Sequence, residues 1–209
     1  MMDFIDVEAL RERAPAGYHI ALRMGFVFPA EEHNGMPQEW VRHYTSRGFM
    51  MQDPVLRWAY GETGHTRWSA LQLQDTYGIL DQARGFGLTY GVAISLRDPV
   101  RASGSSEAQG NRSFGSFARG DREFEADEIA YLHDIIAERH AALSPPTNLT
   151  EAELEALRMA RGGMLLKEIA HQLGVSEGAI KQRLKSAKVK LDARNSTHAI
   201  AKATQFGLI

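Results

Sequence analysis

Along the chain the apolar positions recur with two periods, and each period predicts a different kind of element. Tyr18 to Phe28 (YHIALRMGFVF) and Leu88 to Leu96 (LTYGVAISL) alternate as strands do, and His65 to Leu71 and Arg112 to Ala118 read as strands too. Helices are predicted over Asp3 to Glu12, Thr76 to Arg84 and Asp127 to Leu143. Pro37 opens another that runs through Gly48 with Trp40, Val41 and Tyr44 on its inner side. Asp53 and Pro54 start a short helix, as its cap and its first residue. Ala102 to Asn111 is Gly/Ser-rich and polar, so it reads as a loop between strands. Strands and helices mix without a regular βα repeat. The fold class predicted is α+β, an α/β/α sandwich on a mostly antiparallel sheet.

Two prolines in Ser144-Pro-Pro-Thr-Asn148 stop any helix and mark a boundary. The predicted organisation is therefore a first domain over 1–143, a linker over 144–148 and a second domain over 149–209. In the second, Thr150 and Glu153 have capping-box spacing, and Gly162-Gly163 ends the helix they begin. Lys167 to Leu173 is the next helix, closed by Gly174; Ser176 then caps another, and Asn195 to Thr197 caps a last one from His198 to Gln205. Four helices result, and the central pair has the corner of a helix-turn-helix.

The helix after Ser176 has two faces. Ile180, Leu184, Ala187 and Leu191 recur at steps of four, three and four, which makes one stripe to bury. Lys181, Lys185 and Lys188 repeat that spacing one residue later, a cationic stripe about 100° around the helix. Arg183 and Lys190 add to it. A solvated basic face on an ordinary helical hairpin would share this pattern.

Charge along the whole chain decides between the two. The net charge of −2 conceals a split: residues 1–148 carry no lysine and a net charge of −6, whereas residues 149–209 carry all six lysines and a net charge of +4. An acidic body with a small basic end predicts a regulatory domain joined to a module that binds double-stranded DNA. In that module Lys181 and Lys185 are placed for base edges, and Ser176, Arg183, Lys188 and Lys190 for phosphates. The absence of cysteine excludes disulfides, thiolate metal sites and cysteine nucleophiles. No apolar run approaches a membrane span, and Met1 to Arg13 is an acidic amphipathic start unlike a signal peptide, so a cytoplasmic protein is expected.

Candidate chemistry in the first domain is concentrated between Trp40 and Trp68. Trp40, Tyr44, Asp53, Trp58 and Trp68 combine apolar bodies, polar tips and one carboxylate, which suits a small-molecule pocket as well as an ordinary core. Asp53, His65 or Asp75 could act as a base, but no Ser/His/Asp spacing, metal constellation or phosphate loop accompanies them, so an enzyme is not expected. The missing lysine also argues against a phosphorylated receiver domain.

These residues carry a resemblance. Trp40-x3-Tyr44, Asp53-Pro54, Trp68 and Gly87-x3-Gly91, together with Leu149-Thr150-x2-Glu153, Lys167 to Ala170, Leu173 to Lys181 and the terminal Gly207 to Ile209, resemble quorum-sensing transcription factors of the LuxR family. The resemblance implies an N-acyl-homoserine lactone as ligand, with no cofactor. It implies that Trp40 donates to the lactone carbonyl, Asp53 accepts the amide N–H, Tyr44 lies near the acyl chain, Trp68 walls the lactone and Gly91 leaves room. It further implies a homodimer on a pseudo-palindromic site, with a regulator of the same family that needs no ligand as the alternative. Two positions depart from the pattern. Met36 stands where a tyrosine is frequent, leaving Ser116 as a substitute hydroxyl, and Arg161 stands where a small residue is usual.

Overall fold

The computed structural model describes residues 5–24, 29–98 and 111–209. The chain divides into two compact units, Met1–Leu143 and Ser144–Ile209. In the first, α1 (Val7–Arg13) precedes β1 (Gly17–Met24) and β2 (Pro29–Asn34). Then come α2 (Gln38–Ser46), α3 (Pro54–Gly61), β3 (Gly64–Arg67), α4 (Ile79–Arg84), β4 (Tyr90–Arg97), β5 (Arg112–Arg119) and α5 (Ala126–Ala142). The five strands form one antiparallel sheet in the order β2-β1-β5-β4-β3.

Strand alternation sorts the side chains to two faces. Tyr18, Ile20 and Leu22 of β1, Val92 and Ile94 of β4 and Phe117 of β5 pack against Leu10 of α1 and Ile129, Leu132 and Ile136 of α5. The opposite face, including Ala93, Phe114 and Ala118, lies under α2, α3 and α4. The result is the expected α/β/α sandwich.

Several elements differ from the sequence expectation. The strand expected over Tyr18 to Phe28 is described only to Met24, and Phe28, like the loop expected from Ala102, lies outside the described residues. β2 (PAEEHN) was not anticipated: it is an edge strand with a proline at its first residue, and only its pairing with β1 defines it. α4 begins at Ile79, because Gly78 takes a left-handed conformation and Asp75 reaches forward to accept from the N–H groups of Ile79 and Leu80 at 2.8 and 2.9 Å. β3 stops at Arg67, where the chain turns into a short 3-10 segment, Trp68–Ala70.

One buried polar row lies beside α5. Ser113 Oγ is hydrogen-bonded to His140 Nδ1 at 2.7 Å, and His140 Nε2 to Asp98 at 3.1 Å, with the Arg23 guanidinium on Asp98 and on the His140 carbonyl. Ser113 and Arg23 are buried, so the row joins β1, β5 and α5 without presenting a nucleophile to solvent.

The second unit holds α6 (Glu151–Arg161), α7 (Leu166–Leu173), α8 (Glu177–Lys190) and α9 (Ser196–Gln205). Gly174 is left-handed and closes α7, and Ser176 caps α8 by accepting from the Ala179 N–H at 3.2 Å. Ile180, Ala187 and Leu191 are buried, so the apolar stripe of α8 faces the core as its spacing predicts.

Candidate functional site

α2, α3 and α4 do not close completely on the sheet. Between them and the strands lies a cavity of about 240 Å³. Trp40, Tyr44, Asp53, Trp68, Ser116 and Met36 all line it, brought together from α2, α3, the 3-10 segment, β5 and the turn after β2. Val41 lines it as well, whereas Trp58 does not: it packs with Val55, Ala59, Ala93 and Phe114 against the sheet.

Asp53 has two jobs at the start of α3. One carboxylate oxygen accepts from the Val55 N–H at 2.7 Å, capping the helix, and the other accepts from the Tyr44 hydroxyl at 2.8 Å. Burial pushes its pKa up despite those hydrogen bonds, with Asp75 adding to the rise. Burial and the Asp53 charge also push the Tyr44 phenol far up, so Tyr44 stays protonated and serves Asp53 as a donor. The far end of α3 is held by Arg112, which donates to the Ala59 carbonyl at 2.6 Å and also to the Glu62 carbonyl. Nothing in the sequence signals that clamp, which fixes α3 and with it Asp53.

Trp40 is 7% exposed, and its indole N–H has no hydrogen-bond partner among the described residues. Its ring sits within an aromatic cluster, 5.6 Å from Tyr44, 5.4 Å from Phe86 and 6.0 Å from His43. The Trp68 N–H is also buried, and it too has no partner among the described residues. Trp68 lies on the sheet where Gly91 has no Cβ; a methyl group there would overlap the indole. Ser116 is 6% exposed and its hydroxyl carries no hydrogen bond among the described residues. A largely apolar cavity with unpaired indole and hydroxyl donors and one buried carboxylate suits a small ligand carrying both a carbonyl and an N–H. Among the lining residues that the sequence did not single out are the polar His19, Glu32 and Asn34 of β1 and β2 and Met50 of the turn after α2, beside apolar residues such as Leu56, Ile79 and Phe114. Only β2 itself could have signalled two of them.

On α8, Lys181 and Lys185 are exposed and Arg183 and Lys188 are half-buried; none of the four has an ion pair among the described residues. Ser176 is exposed at the helix start. Gln182 is exposed between Lys181 and Arg183; it carries no charge, so the cationic pattern does not signal it, although its amide suits a base edge. Lys190 departs from the expectation of a phosphate contact. Its ammonium donates to both oxygens of Glu153 at 2.9 and 2.8 Å and to the Asn148 carbonyl at 2.8 Å. Glu153 is buried; that burial would raise its pKa, but hydrogen bonds from Lys190, Ser186 and Thr150 outweigh it and hold the carboxyl at about 2. Lys190 is thus spent on joining α6 to α8.

Residues 30–140, which hold most of the cavity, match the autoinducer binding domain, and residues 147–203 match the bacterial regulatory proteins of the luxR family. The chain belongs to the LuxR family of transcriptional regulators. It is 32% identical over 186 residues to the quorum sensing-dependent regulator RpaR of Rhodopseudomonas palustris, covering 84% of this chain and 74% of that protein. It is 29% identical over 194 residues to the regulatory protein SdiA of Escherichia coli, covering 85% and 75%. The crystal structure of Escherichia coli SdiA shares the fold, with a TM-score of 0.54 and 24% identity over 97% of this chain and 90% of that one. SdiA in complex with octanoyl-rac-glycerol gives 0.55 and 25%, over 96% and 87%. The chain is accordingly a DNA-binding regulator controlled by a small-molecule signal, and the family is not one of enzymes. Among the described residues no helix is long and apolar enough to cross a membrane.

Proposed function

We propose that the signal is an N-acyl-homoserine lactone, bound in the cavity of the first unit, and that the liganded protein acts as a cytoplasmic homodimer on a pseudo-palindromic DNA site. The observation that carries the ligand reading is the pairing of a buried carboxylate, Asp53, with an unpartnered indole donor, Trp40, in one largely apolar cavity. Asp53 takes the ligand amide N–H, Trp40 donates to the lactone carbonyl, and Ser116 supplies the hydroxyl for the acyl carbonyl. Tyr44 keeps Asp53 in place, Met36 borders the ligand as an apolar wall, and Trp68 walls the lactone.

A regulator that needs no ligand would be expected to fill this volume with side chains; the unfilled cavity favours the signal reading. That SdiA takes octanoyl-rac-glycerol supports an acyl compound as the kind of ligand this fold accepts. On DNA, two copies of α8 enter successive major grooves about one helical turn apart. Lys181 and Lys185 approach base edges, and Ser176, Arg183 and Lys188 hold phosphates.

The deciding experiment is to express the chain with and without N-acyl-homoserine lactones, extract the folded protein for mass spectrometry and compare melting temperatures. A lactone recovered in about equal amount to the protein, with a raised melting temperature, is expected. No recovered lactone and no shift across acyl lengths would reject the ligand.

A further inference from the structure

The floor of the cavity crosses the sheet from Trp68, which lies on β4, over Ser116 of β5 and His19 of β1 to Glu32 and Asn34 of β2. Three strand spacings separate β4 from β2, about 14 Å. Asp53 heads α3, which packs on β4 and β5 with Ala93 and Phe114, so the buried carboxylate lies toward the β4 side. The β2 side is different in kind. Glu32 and Asn34 are exposed there, and His19 lies just inside them, with its side chain 29% exposed.

His19 is oriented from two directions. Its Nε2 is hydrogen-bonded to Glu32 Oε1 at 2.9 Å, and its ring meets Phe114 edge-on, with centroids 6.1 Å apart and planes at 72°. Because a carboxylate only accepts, Nε2 carries the proton, and in the neutral ring Nδ1 is left as an acceptor. Nδ1 has no partner among the described residues. An alkyl chain laid over it would remove water from that nitrogen and return no hydrogen bond. A hydroxyl group donates to Nδ1 when the ring is neutral and accepts from it when the ring is protonated, so it suits either state.

We propose that His19, oriented by Glu32, forms a polar subsite at the outer end of the cavity and selects ligands whose acyl chain carries a hydroxyl group. The inference rests on the lactone reading above and specifies the acyl part of that ligand. Glu32 is a positioning residue, since it acts through the tautomer of His19.

The test titrates the full chain with homoserine lactones of one acyl length, plain or hydroxylated at successive carbons, and follows thermal stability. At least one hydroxylated lactone should half-saturate at a concentration about tenfold below the plain one. His19→Leu should erase that preference by weakening the hydroxylated ligand alone. Glu32→Ala should reduce it, while Glu32→Gln, whose carbonyl still accepts from Nε2, should keep it. Glu32 is exposed on an edge strand, so its variants report even where a His19 variant fails to fold. Equal half-saturation by plain and hydroxylated lactones in the unmodified chain would overturn the subsite and leave the lactone reading standing. No stabilisation by any lactone would overturn both.

Discussion

Asp53 concentrates most of the consequences at the scale of single residues. It caps α3, holds Tyr44 and offers a buried carboxylate to the cavity, and burial raises its pKa. A folded-state pKa raised above the unfolded value means that its stabilising contribution is complete at acid pH and is lost as pH rises through the raised value. Ionisation of Asp53 therefore weakens the ligand-free fold. Asp53→Asn keeps an oxygen for the cap and removes the charge. It should leave the ligand-free melting temperature unchanged or higher while weakening lactone binding at least about tenfold, as loss of a charged hydrogen bond does. A variant that melts lower and binds normally would refute that division of roles. Gly91 acts in the opposite sense, by what it lacks. Gly91→Ala should displace Trp68 and cost ~1–3 kcal/mol, as overpacking does, which denaturation and tryptophan fluorescence would register together. The resemblance to the LuxR family, carried by the spacing of Trp40, Tyr44, Asp53, Trp68 and Gly91, made these positions legible in the sequence. The unpaired state of the Trp40 N–H was not, since a core tryptophan and a binding tryptophan are spelled alike.

Among the elements, α8 shows how one helix divides its charges. Lys185→Ala should weaken specific DNA binding by ~1–3 kcal/mol, whereas Lys188→Ala should mainly lower the salt slope by about one, both read by titration at several salt concentrations. Equal loss on specific and random DNA for Lys185→Ala would reject its base-edge role. Lys190 belongs to a different class. Lys190→Ala should destabilise the second unit by ~2–3 kcal/mol, because Glu153 loses its charged partner inside the domain. The Glu153 carboxyl is held at about 2, below its ordinary 4.5, so its contribution is complete above 4.5 and is lost as pH falls toward 2. Acid titration of the unit should show that loss in this window, and Glu153→Gln should flatten it. The repeat of four and three places Lys181, Lys185 and Lys188 on one face of α8, and Lys190, two residues past Lys188, falls about 200° further round the helix. What Lys190 meets on that other face was not legible, because the carboxylate that claims it comes from α6, far away in the sequence. β2 was illegible for a related reason: PAEEHN has no hydrophobic alternation, and only the hydrogen bonds of β1 make it a strand.

For the whole molecule, a ligand that binds only the folded state stabilises it by mass action, about 2.7 kcal/mol at a concentration one hundred times its dissociation constant. The first unit should therefore melt higher with lactone in a concentration-dependent way, and scanning calorimetry would follow the two units separately. A transition attributable to residues 1–143 that ignores saturating ligand would contradict control by stability. The charge split separates the tasks of the two units. A chain with no lysine before residue 149 keeps its phosphate-seeking charge in the unit that carries the helix-turn-helix.

What the sequence determined by itself was local or periodic: the capped helices, the corner at Gly174 and Ser176 and the strands with apolar alternation. Those depend on neighbours within a few turns of chain. Tertiary structure alone decided which polar groups end up paired: Arg112 on the end of α3, Lys190 on Glu153, and His19 with Glu32 at the rim of the cavity. Each pairing needs two segments brought within about 3 Å by the packing of a shared core, and a hydrogen bond of that reach leaves no periodic trace in the order of residues.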